Sequence, residues 1–141
     1  LTYISGQNES MVLRFVLYGF LGWGLEVLWT GINSIRKGDR TLRGTSSLWM
    51  FPIYGMGVFL EPIINLLTLL PWTARGVTYM LCIFLAEYVS GCILKKYSAC
   101  PWDYSACMYS VQGVIRLDYA PLWFIVGLVY EWIYRAFLIN I

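Results

Sequence analysis

The sequence predicts an all-α integral membrane protein, a four-transmembrane-helix bundle forming one domain over residues 1–141. Three observations lead there. Of the residues, 59% are hydrophobic and 13% charged, with a mean hydropathy of +0.63, whereas soluble domains carry about 25% charged residues. Four apolar runs approach the roughly 20 residues that a membrane span needs. Each run contains a single glutamate in an otherwise lipid-compatible segment.

The first run, residues 12–32, opens after a polar stretch, Leu1–Ser10, that lacks a basic region and so does not read as a signal peptide. A basic loop follows over 33–47, with Arg36, Lys37, Arg40 and Arg43 against Asp39. The second helix is expected over 48–70, with Pro52 in its first turn, where a missing N–H costs little. Pro71 and Trp72 end it. Thr73–Gly76 reads as a short turn into a third helix over 77–94, which makes these two helices antiparallel neighbours. The loop 95–118 carries Lys95, Lys96 and Arg116 against Asp103 and Asp118. From Tyr104 to Leu117 it is partly amphipathic, an interfacial segment expected to lie on the membrane surface or fold back over the bundle. The fourth helix is expected over 120–139. Positive charge concentrated in both long loops places them in the cytoplasm and both chain ends outside. Trp49, Trp72, Trp102 and Trp123 fall near span ends, as interfacial aromatics do.

Composition excludes several classes of function. A net charge of +2 without a basic stripe argues against nucleic acid. Histidine is absent, which removes the commonest metal ligand and the usual base near neutral pH. Cys82 and Cys92 read as small core residues. Cys100 and Cys107 could pair only in an oxidising compartment, and their spacing is not a zinc pattern.

The carboxylates are Glu26, Glu61, Glu87 and Glu131. A charged group at mid-membrane costs about 3 kcal/mol on insertion scales, so four of them ask for a reason. Their neighbours at steps of three and four share a helix face: Gly19, Gly22, Thr30 and Asn33 with Glu26; Tyr54, Gly57, Asn65 and Thr68 with Glu61; Ser90 and Gly91 with Glu87; Gly127, Tyr134 and Arg135 with Glu131. Gly22, Gly57, Gly91 and Gly127 each lie four residues from a glutamate and permit close helix packing. A rise of about 1.5 Å per residue puts Glu61, Glu87 and Glu131 near mid-membrane and Glu26 nearer the cytoplasmic end.

Two readings stay open. Glu26, Glu61, Glu87, Glu131, Asn65, Tyr54 and Arg135 line a cavity for a cation- or proton-linked solute, or the glutamates tie helices together by hydrogen bonds. In the second reading Glu131 pairs with Arg135 one turn on. A ferritin-like di-metal site needs Glu-x-x-His pairs and is not expected. A hard cation held by oxygens is compatible with the residues, and no other cofactor is evident. In the loop, Trp102 reads as an interface anchor, Asp103 as a turn cap or the partner of an arginine, and Tyr104 as part of the same polar-aromatic knot. With no nucleophile or metal motif, an enzyme is not expected. An intramembrane lipid-modifying enzyme using Glu with Asp103 ranks last.

The halves also echo one another. "GTSSLWMFPIYGMGVFLE" and "GVIRLDYAPLWFIVGLVYE" both run from Gly through Trp to Gly and Glu, with unequal spacing. Two tandem helix pairs in parallel orientation would produce such an echo.

"GWGLE", "RGTSSLWMFPIYGMG", "ACPWDYS" and "GVIRLDYAPLWF" together resemble the small membrane family of type IV ABC-transporter (CmpB-like) proteins, which includes vertebrate transmembrane protein 229. The likeness runs from about Phe15 to Arg135 and is most specific over Cys100–Ser105, with Gly113, Leu117, Tyr119 and Trp123 in register. "PIYG" looks like bacterial members, whereas "TSSLW" and "CPWDYS" look like animal ones; a bacterial cell membrane is the expected location. The resemblance implies a multi-helix membrane protein related to transport, a permease-like component. No Walker A string is present, so ATP hydrolysis would need a separate ATPase subunit. Four helices are few for a permease half, so a homo-oligomer is expected, with the basic loops as docking surface. The alternative is a non-transporting structural or regulatory membrane protein.

Overall fold

The computed structural model describes Thr2–Ile141, with side chains from Ser5 onward. The part of the Leu1–Ser10 reading that falls on Leu1 lies outside the described residues. The described chain is mainly helical: α1 (Thr2–Arg36), α2 (Met50–Gly55), α3 (Glu61–Leu66), α4 (Trp72–Lys96) and α5 (Ala120–Ile133), with a small antiparallel pair of strands, β1 (Ser110–Val111) and β2 (Ile115–Arg116), between α4 and α5. Among the described residues, three helical stretches are long and apolar enough to cross a membrane: Ser5–Arg36, Trp72–Lys96 and Leu117–Leu138.

The expectation of four spans is thus met by three. The second apolar run gives a shorter helical stretch, Met50–Leu66, in which a 3-10 turn, Met56–Leu60, separates α2 from α3. Pro62 accounts for the break. It has no N–H to offer the carbonyl four residues back, and its ring crowds that carbonyl, so the backbone tightens before it. Other boundaries move as well. α1 begins at Thr2 rather than near 12 and runs through Arg36, so the polar lead-in and the start of the first basic loop are helical. α4 begins at Trp72, directly after Pro71 in an extended conformation (φ −62°, ψ 155°), so Thr73–Gly76 is the first turn of that helix and not a connecting loop. The helix of α5 passes into a π-turn over Tyr134–Leu138.

The chain divides into two compact units, one running to Val58 together with Ile141, the other Phe59–Asn140. In the first unit α2 packs on α1. The loop between them runs back along α1: Thr45 N–H donates to Thr30 Oγ1 (2.8 Å), Thr30 Oγ1 donates to Thr45 O (3.1 Å), and Trp23 Nε1 donates to Ser47 O (2.9 Å). Phe51 then enters an aromatic cluster, with ring centroids 4.9 Å from Trp23, 5.1 Å from Phe20 and 6.3 Å from Phe15. Gly22 lets Tyr54 lie against the α1 backbone: a Cβ there would sit 2.1 Å from Tyr54 Cγ.

In the second unit α4 packs on α5. Gly127 meets Tyr79, with a Cβ on the glycine falling 2.3 Å from Tyr79 Cβ. The segment 104–117 is not an amphipathic helix. Consecutive left-handed residues, Gln112 (φ 53°) and Gly113 (φ 70°), turn the chain into the β1–β2 hairpin, since a helix has no place for positive φ. Of the two expected placements, folding back is what this loop does: Trp102 Nε1 donates to Val114 O (2.8 Å), Val114 packs on Gly91 of α4, and Lys95 Nζ donates to Gln112 O (2.9 Å). All four cysteines, Cys100 and Cys107 included, are free thiols.

Candidate functional site: two carboxylate clasps

Glu26 lies in the C-terminal third of α1, half-buried. Its Oε2 accepts hydrogen bonds from Tyr54 Oη on α2 (2.7 Å) and from Ser46 Oγ in the loop (3.1 Å). Gly22, one turn earlier, admits the Tyr54 ring that delivers that hydroxyl. Glu87 lies on α4. Its Oε1 accepts from Tyr104 Oη in the loop (3.2 Å), and its Oε2 accepts from Trp123 Nε1 near the start of α5 (3.2 Å). The connectivity is the same in both units. A glutamate on the long helix takes one bond from the loop that follows and one from an aromatic side chain on the next helix. Every described donor to Glu26 and Glu87 is neutral.

Burial holds the Tyr104 hydroxyl well above the usual tyrosine range, and the adjacent Glu87 adds to this. Tyr104 therefore stays an O–H donor. Its ring also meets Tyr119 edge-on (5.9 Å), and Arg116 lies over the Tyr119 ring (4.2 Å) while bridging Asp118 at 2.6 Å. Asp103 does cap a turn: its Oδ1 accepts the Ser105 N–H (3.0 Å), which holds its carboxyl below the ordinary 3.8. A depressed carboxyl contributes its stabilisation above the unfolded value and loses it as pH falls through the lower, folded one. Protection of the Ser105 amide from hydrogen exchange is accordingly expected to weaken as pH drops below about 4. In Asp103→Asn that pH dependence should vanish while part of the protection stays. An unchanged pH profile in the variant would reject the cap as its cause.

The other two carboxylates are arranged differently. Glu131 is 6% exposed and bridges two cations, Arg75 Nε (3.0 Å) and Arg135 Nη2 (3.2 Å). Asn65 Nδ2 donates to Tyr134 Oη (3.0 Å) in the same unit. Glu61 is buried, at 4% exposed, and so is Gly57. Arg75, which holds Glu131, and Glu87 are twelve residues apart on α4, roughly 18 Å along the helix backbone. Among the described residues, no group of three or more Cys, Asp or Glu side chains is placed to hold a metal ion.

Sequence reasoning missed Ser46, Trp123 and Arg75. Trp123 was assigned to the membrane interface, yet its indole N–H is spent on Glu87. A signal for Arg75 was present. Arg14, Tyr18 and Glu26 in α1 recur as Arg75, Tyr79 and Glu87 in α4, sixty-one residues on in each case, and Gly57 and Glu61 recur as Gly127 and Glu131, seventy residues on. Tyr18 and Tyr79 are the matched buried tyrosines, 1% and 0% exposed. This register is stricter than the echo between the Trp-containing strings, and it includes the buried Tyr18, Gly57, Glu61, Tyr79, Gly127 and Glu131.

No solved structure matches the chain. The sequence profile of the family described as "Putative ABC-transporter type IV" matches residues 13–141. That is most of the chain and contains both clasps, and the chain belongs to this family of ABC-transporter-related membrane proteins.

Proposed function

We propose that the chain is a membrane-embedded component of an ABC-type transport assembly, with its intramembrane glutamates acting as clasps that hold the connecting loops and following helices on α1 and α4. Family membership supports the transport setting. The observation that carries the clasp role is the repeated pattern at Glu26 and Glu87, each bonded by neutral donors from a loop and from the next helix. ATP hydrolysis in this reading belongs to a separate subunit, and the chain itself performs no catalytic step. Both long basic loops face the cytoplasm if Met50–Leu66 also crosses, and that subunit and a second copy of the chain would be met there; with three crossings the two loops lie on opposite sides.

Double-mutant cycles test the clasp. Glu87→Gln paired with Trp123→Phe, and with Tyr104→Phe, should each lower the melting temperature in detergent, with coupling of about 0.6 kcal/mol and at most about 1.7, the mean and maximum for hydrogen bonds between membrane helices. Zero coupling would remove the clasp.

Glu87 supports a second reading, since its two described donors are neutral and no cation pairs with it among the described residues, which suits a carboxylate in cation- or proton-linked transport. In that case one cation or a pH step should stabilise the wild type, and Glu87→Gln should fold normally and lose the shift. Reporters placed ahead of α1 and behind α5 test the topology. Three crossings put them on opposite sides of the membrane, whereas a fourth crossing by Met50–Leu66 puts them on the same side.

A further inference from the structure

We infer that the end of α1 and the loop behind it form a binding site for a phosphate-bearing headgroup, separate from the carboxylate clasps. A cavity of about 370 Å³ opens there, lined by Trp29, Asn33, Lys37, Asp39, Arg43 and Thr45 among others. Its walls are built rather than incidental. The loop is pinned to α1 by the Thr30–Thr45 bonds and by Gly44, where a Cβ would fall 2.1 Å from the Val27 carbonyl oxygen. Leu42 is held at φ 57°, a conformation a side chain of its kind adopts only under constraint, and such strain gathers at functional sites.

Around the cavity two cations, Lys37 and Arg43, outnumber the one carboxylate, Asp39, which leaves a net positive charge. Asp39 is already engaged, its Oδ1 accepting from Thr41 N–H (2.9 Å) and Thr41 Oγ1 (2.6 Å). Its carboxyl is held below the ordinary range by those bonds. Lys37 and Arg43 have no ion-pair partner among the described residues. An ammonium and a guanidinium fork at one opening match phosphate oxygens, with the Asn33 amide and the Thr45 hydroxyl as additional polar groups. Trp29, 57% exposed, stands at the last turns of a membrane-length helix, where aromatic side chains meet lipid headgroups. Basic clusters next to a span are the usual means of holding anionic headgroups.

The shared chemistry is a phosphate group, whether from an anionic phospholipid or free in solution. Full-length chain in nanodiscs, analysed by native mass spectrometry, tests it with phosphatidylglycerol against phosphatidylcholine. Lys37→Gln/Arg43→Gln should retain phosphatidylglycerol about tenfold less than wild type. Arg36→Gln/Arg40→Gln, with the same change in net charge, should retain it normally. Equal loss in both double variants would reduce the effect to diffuse charge and overturn the site, as would no loss in either. Both pocket cations are exposed, so the variant is expected to fold; if it does not, the single variants give the same comparison. Inorganic phosphate added to the detergent-solubilised protein separates the sources. A thermal shift that needs Lys37 and Arg43 assigns the site to soluble phosphate, and retention of lipid without such a shift assigns it to the headgroup.

Discussion

Replacing Gly22 with valine is expected to destabilise the protein by about 3 kcal/mol, at the upper end of the range for overpacking a tight contact. Even the first added carbon would stand 2.1 Å from Tyr54 Cγ and 2.4 Å from Tyr54 Cβ. Those atoms lie next to the α2 backbone, so no rotation of the ring relieves the clash and α2 itself must move. When it moves, the Tyr54 hydroxyl leaves Glu26 and the loop bond from Ser46 is left as the described remainder of that clasp. The internal control is Gly24, two residues on, around which nothing lies within 4 Å. Gly24→Ala should be neutral or stabilising by up to about 1 kcal/mol, because alanine restricts the unfolded chain and suits a helix. Thermal unfolding in detergent, followed by circular dichroism, compares the two. Similar melting temperatures for both variants would show that α2 does not rest on Gly22.

Glu131→Gln is expected to be the most damaging change in the second unit, at about 3 kcal/mol or more. Glu131 is the shared partner of two guanidiniums, and removing one member of a buried ionic group leaves the remaining charge uncompensated. The side chains differ in exposure: 7% for Glu131, 20% for Arg75 and 39% for Arg135. Solvent therefore screens the Arg135 arm, and Arg135→Gln should cost under about 1 kcal/mol. Arg75→Gln should fall between the two, since Glu131 keeps Arg135 and only the better-buried cation is lost. The order of melting temperatures tests the arrangement. If Arg135→Gln proves as costly as Glu131→Gln, the buried bridge to Arg75 is not the dominant contact.

The two experiments probe different supports of one design. Each unit sets a second helix on a long one through a glycine–tyrosine contact, Gly22–Tyr54 in the first and Gly127–Tyr79 in the second. Loop donors then close over a carboxylate. In lipid there is little hydrophobic force between helices, so close packing and polar contacts must supply the association. That is the physical reason for glycine and glutamate at one-turn spacing in this chain.

Membrane residence, the all-α class and the family were legible in the sequence, because each rests on composition and on strings that survive without knowledge of contacts. A run of apolar residues is compatible with lipid whatever it touches, and the match over residues 13–141 is a property of the string. The one-turn spacing of glycine and glutamate was legible for the same reason, since helical period is local. Other outcomes turned on local backbone geometry or on pairs distant in sequence. The second apolar run is helical only over Met50–Leu66, with a 3-10 turn ahead of Pro62. The loop after α4 became a hairpin because Gln112 and Gly113 adopt left-handed backbone conformations. The choice of Ser46, Tyr54, Tyr104 and Trp123 as donors came only with tertiary structure. Hydropathy marks a carboxylate as costly in lipid, but side-chain geometry alone decides which O–H or N–H reaches it.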